Sequence, residues 1–125
     1  MKIKRFKEKV FSVSVTLIYN CSAIELENYF KKKKVTFEGN IRGSSGATFE
    51  IEEDCKDGGV FTTFYIWVID KNDFYSLSHE CIHLVKYIFS AHGVLINKEN
   101  DEIFAIYHTY WLKKLWHSIK YSKKK

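Results

Sequence analysis

The feature that most constrains this chain is a change of apolar period at Asp70. Upstream, Val60 to Ile69 is rich in β-branched and aromatic residues and is the most strand-like run present. Downstream, Leu77, Cys81, Leu84, Val85, Ile88 and Phe89 recur at the spacing of one helix face. Asp70-Lys71-Asn72-Asp73 separates the two, and Asp73 with Ser76 makes a helix start. The helix is predicted to end at Ser90 or Ala91, before Gly93.

The remaining elements follow from local pattern. Phe11, Val13, Val15 and Leu17 alternate with Ser12, Ser14 and Thr16, as a half-buried strand requires. Ser22 with Glu25 forms a capping-box pair opening a short helix over Ala23 to Lys32, with lysines at its end. Val35 to Ile41 reads as a weak strand or an irregular crossing. Ala47 to Glu53 alternates again, and Asp57-Gly58-Gly59 connects it to the aromatic strand. A last helix is predicted from a cap at Asn97 or Asn100 to about Ser118, with Ile103, Ile106, Tyr107, Tyr110 and Leu115 at helical spacing. The expected fold is α+β, with a small antiparallel or mixed sheet packed on two C-terminal helices. One domain over residues 1–125 is expected, with basic ends at 1–9 and 119–125.

With 125 residues the chain can bury a modest core, and 46% hydrophobic and 17% aromatic content argue against disorder. The formal charge of +5 comes from lysine clusters. These read first as solubilising ends and helix caps, and only second as a nucleic-acid surface. Three cysteines without CxxC spacing do not build a disulfide framework, and Cys81 reads as a small buried residue. No signal peptide is read, and no apolar run approaches the roughly 20 residues that cross a bilayer. No membrane partner and a cytoplasmic location are the expectations.

Inside the predicted long helix stands Ser78-His79-Glu80-Cys81-Ile82-His83, an HExxH word. Two histidines four residues apart share a helix face, where neutral imidazoles suit zinc. Glu80 beside them is the residue type that handles the protons of a metal-bound water. A catalytic zinc needs a third protein ligand. Lys86 and Phe89 stand where the metzincin pattern needs glycine and histidine. Glu102, in the first turn of the next helix, is the favoured third ligand, with Glu99, Asp101, His92 and His108 as rivals. Asp101 is alternatively a group that does not touch the metal but hydrogen-bonds and orients an imidazole. Tyr107, His108 and Tyr110 are candidates to stabilise a transition state, although core packing is the simpler role for the tyrosines.

The combination of Ser78 to His83, Gly93-Val94 and Asn100 to Ala105 resembles small phage-encoded proteins with an HExxH metallopeptidase-like core. It also resembles the wider gluzincin class, which draws two histidines from one helix and a glutamate from the next. The resemblance covers about Val60 to Leu112. It implies a minimal zincin-like domain holding Zn2+ through His79, His83 and Glu102, with Glu80 as general base. The implied activity is hydrolysis of a peptide bond in a protein or peptide, within the host cytoplasm if the chain is phage-encoded. Two alternatives stand beside it. One is a non-catalytic zinc-stabilised module that binds a host protein. The other is a nucleic-acid-associated protease, in which the lysine clusters have a purpose.

Overall fold

Strand alternation and helix capping act where the sequence places them. The computed structural model describes residues 1–36 and 40–121. The elements are β1 (Lys2–Glu8), β2 (Val13–Tyr19), α1 (Ala23–Lys32), β3 (Gly46–Asp54), β4 (Val60–Val68), α2 (Phe74–Ala91) and α3 (Asp101–Lys120). The sheet order is β1-β2-β4-β3, with β2 and β4 parallel at the centre and antiparallel strands at both edges. The domain is therefore α+β with a mixed sheet, as expected. Lys2–Glu8, read from the sequence as a basic end, forms an edge strand against β2. Lysines on an edge strand discourage pairing with another chain. Part of the weak segment expected at Val35 to Ile41 (residues 37–39) and the tail 122–125 lie outside the described residues.

The central strands are buried on both faces, because helices cover both. Val13, Val15, Leu17 and Tyr19 of β2 join Phe64, Ile66 and Val68 of β4 in packing under α2 and α3. The alternate residues Ile18, Tyr65 and Trp67 point the other way, onto Leu26 and Phe30 of α1. Trp67 donates its indole N–H to the Cys21 carbonyl at 2.8 Å, which satisfies the one polar atom of a fully buried ring.

Helix ends follow their chemistry. Ser22 and Glu25 close a reciprocal capping box on α1. Asp73 accepts hydrogen bonds from the Ser76 backbone at 3.0 Å and its hydroxyl at 2.6 Å. At the other end of α2, His92 Nδ1 donates back to the Ile88 carbonyl, and Gly93 takes φ +70°. Asn97, before α3, accepts from the backbone N–H groups of Glu99 and Asn100. No helix among the described residues is long and apolar enough to cross a membrane.

Candidate functional site

The HExxH segment lies on α2 as predicted, but Glu80 points away from its two histidines. His79 and His83 bring their Nε2 atoms to 3.2 Å on an exposed surface, and the His79 side chain is 68% accessible. Glu80 is one residue, about 100° of helix, further round. That step turns it onto the sheet, where it is buried. Thr48 of β3 donates its single hydroxyl proton to the Glu80 carboxylate, at 2.8 Å, or to the Glu80 carbonyl, at 3.0 Å. Gly46 allows the contact: a Cβ there would stand 3.1 Å from Glu80 Cγ and 2.8 Å from the Trp67 carbonyl oxygen. Glu80 thus joins α2 to the edge strand β3. Its nearer approach to an imidazole is 4.0 Å, from Oε2 to His79 Nε2.

The other sequence-predicted residues stand elsewhere. α3 returns antiparallel to α2, with Phe74 against Trp116 and Phe89 against Phe104. Glu102, two residues before Phe104, therefore belongs to the far end of α2. The six residues from His83 to Phe89 amount to about 9 Å along the axis. Glu102 and Asp101 are both exposed in the first turn of α3. His108 Nε2 meets the Ser78 carbonyl at 3.4 Å, a contact between helices. Tyr107 is buried against Phe89, Phe11 and Trp111, and Tyr110 stacks beside it. Cys81 behaves as a core residue; burial pushes its thiol up to about 12, and the Glu80 charge adds to the shift.

Among the described residues no group of three or more His, Cys, Asp or Glu is placed to hold a metal ion. This overturns the zinc expectation in each of its forms: the Zn2+ cofactor, the peptidase activity, the zinc-stabilised module and the zinc protease acting near nucleic acid. The physical reason is the direction of packing. Phe89 and Phe104 set the helix pairing, and that pairing carries Glu102 away from His79 and His83. No family model, curated protein or solved structure matches the chain. The resemblance to phage HExxH metallopeptidase-like proteins and to gluzincins is withdrawn with it, together with the zincin-like description of the fold.

A concave surface lies on the other side of α3. The β1–β2 connection, residues 9–12, turns through Ser12 at φ +54° and presses Phe11 onto Phe89, His92 and Tyr107. Between this hairpin tip and α3 runs an open cleft of about 670 Å³. Val10, Phe11, Ile103, Ile106, Tyr107 and Tyr110 form its apolar wall, and Lys7, Lys9 and Lys114 stand at its rim. Val10 is 81% exposed and Ile106 61%. Lys114 lays its stem along the wall, its ammonium 5.3 Å from the Tyr110 ring centre and donating to the Tyr110 hydroxyl.

At the base of the cleft Glu8 is buried and accepts the Phe11 backbone N–H at 2.9 Å, which fixes the turn. The Tyr107 hydroxyl and Trp111 Nε1 are buried without hydrogen-bond partners among the described residues. Burial pushes the Tyr107 hydroxyl above its ordinary range, and Glu8 and Trp111 lie near enough to influence it without reaching hydrogen-bond geometry. The sequence carried one signal of this cleft. Ile103, Ile106 and Tyr110 run beside Tyr107, Trp111 and Leu115, an apolar band wider than one buried helix face needs.

Proposed function

We propose that the chain is a protein-binding module, and that its docking surface is the cleft between the β1–β2 turn and α3. The observation that carries this reading is the exposed apolar stripe of Val10, Ile103, Ile106 and Tyr110 with lysines at its edge. A contiguous apolar patch with a polar rim is what partner surfaces present, whereas isolated exposed apolar residues are ordinary. From Ile103 to Lys114 the wall extends about 16 Å along α3. That length suits an amphipathic helix laid in a groove by anchors on successive turns. Lys7, Lys9 and Lys114 favour a partner with acidic residues flanking its apolar face.

The test is selection of displayed helical peptides against the wild type, with an Ile106→Glu, Tyr110→Glu double variant as counter-target. Enriched sequences should be amphipathic and acidic, and should bind more weakly as salt rises. Their affinity for the double variant should fall at least tenfold while its thermal midpoint stays near wild type. Equal binding to both proteins, or enrichment without an acidic amphipathic pattern, would overturn the reading.

A further inference from the structure

On the opposite face of the sheet, strand register assembles a polar groove. α1 ends at Lys32, and Lys33 reaches over the ring of Tyr65 to donate to its hydroxyl at 3.1 Å. Beyond that point no helix among the described residues covers the face. Register aligns Arg5, Thr16 and Tyr65 in one row across β1, β2 and β4, and Lys7, Ser14 and Thr63 in the next. Residues two apart on a strand share a face, so both rows look the same way. All six line one groove of about 280 Å³, with Lys33, Glu53 and Phe61 among its other walls.

The groove holds unspent donors. Glu53 already accepts from the Thr63 hydroxyl at 2.9 Å and the Tyr65 hydroxyl at 3.3 Å, and pairs with Lys33 at 3.5 Å. By contrast, the Ser14 and Thr16 hydroxyls have no side-chain partner, and Arg5 and Lys7 no ion pair, among the described residues. Thr16 is only 4% exposed. The little surface Thr16 keeps opens on the groove, so its hydroxyl, which has no side-chain partner among the described residues, is placed to donate to an acceptor that enters there. Arg5, Lys7 and Lys33 against the single carboxylate of Glu53 leave two positive charges unbalanced.

We infer that this groove is a binding site for a phosphate monoester. Such a group carries close to two negative charges at neutral pH and three acceptor oxygens. It therefore matches the excess charge and offers three acceptors to the free donors, where a carboxylate brings one charge and two oxygens. Arg5 supplies the paired N–H geometry, Lys7 a point charge, and Thr16 and Ser14 neutral donors. Phe61, 44% exposed at the wall, offers an apolar surface to the organic substituent. The site is independent of the cleft, although Lys7 stands at the edge of both.

The test is an amide-resolved NMR titration at fixed ionic strength with inorganic phosphate, phenyl phosphate and a nucleoside monophosphate. Saturable shifts should centre on Arg5, Ser14, Thr16 and Thr63. Phenyl phosphate binding tighter than inorganic phosphate would assign a role to Phe61 and point to an aryl phosphate. Preference for the nucleotide would instead point to a base-bearing ligand. Arg5→Ala and Thr16→Val should each weaken binding at least tenfold. Lys86→Ala, the same kind of charge removal on exposed α2, should leave it unchanged. Dispersed non-saturating shifts, or equal losses in Arg5→Ala and Lys86→Ala, would overturn the site. So would wild-type affinity in Thr16→Val with its fold intact.

Discussion

The two long helices bury their apolar residues to different extents, although α2 also exposes Tyr75 and part of Phe74, Ile82 and Tyr87. α2 buries Leu77, Cys81, Leu84, Val85, Ile88 and Phe89 on the sheet and turns its histidines outward. α3 buries only Tyr107, Trp111, Leu115 and Ile119, and leaves Ile103, Ile106 and Tyr110 in the open. The helix with the catalytic-looking word spends its glutamate on a hydrogen bond to Thr48, whereas the helix without a motif lines an open cleft. A motif defines which side chains share a helix face; the neighbours of that face define whether they meet a further ligand.

The contrast can be broken most sharply by truncating one residue on each helix. Leu84→Ala in α2 should cost about 2–5 kcal/mol in chemical denaturation, because Leu84 is fully buried. Ile106→Ala in α3 should change stability by less than about 0.5 kcal/mol. Comparable losses at both positions would mean that the outer stripe of α3 belongs to the core. Next in size is the contact between α2 and β3. Gly46→Ala forces a Cβ against the Trp67 carbonyl and Glu80, and should cost about 1–3 kcal/mol. An unchanged unfolding midpoint would show that Glu80 does not need that approach.

A smaller effect belongs to the start of α2. Asp73→Ala should cost about 1 kcal/mol at neutral pH. The Ser76 hydroxyl and then its backbone N–H hold the Asp73 carboxyl below its ordinary range. A carboxyl held lower in the folded state stabilises above its unfolded pKa and loses that contribution as pH falls through the folded value. The difference between wild type and variant should therefore be full at pH 7 and close below about pH 4. A difference that persists undiminished in acid would remove the cap from the account. The smallest expected effect is none: a chelator should leave the thermal midpoint of the wild type unmoved. A structural zinc is worth about 10–16 kcal/mol, so a fall of several degrees would restore a bound metal.

Much of the local structure was legible from residues. Ser22 with Glu25, Asp73 with Ser76, and Gly93 all act where their chemistry predicts, because capping depends on a few neighbouring atoms. The alternation of β2 and the aromatic run of β4 identified the central strands. β1 was hidden because Lys2, Lys4, Arg5 and Lys7 make an edge strand look like a solvated end. The polar groove was hidden because Ser14 and Thr16 look like the wet side of a strand, and only pairing with β1 and β4 puts Arg5 and Lys7 beside them.

For this protein the sequence by itself determined the elements other than β1, the caps that open α1 and α2, the helix carrying His79, Glu80 and His83, and the α+β class. Those properties are set by contacts within a few residues. Only the tertiary structure decided that Glu80 faces Thr48, that no metal-holding group forms among the described residues, and that α3 keeps an apolar stripe exposed. These depend on which of several similar faces packs inward, and that choice rests on Phe89, Phe104, Trp111 and the strands beneath them acting together.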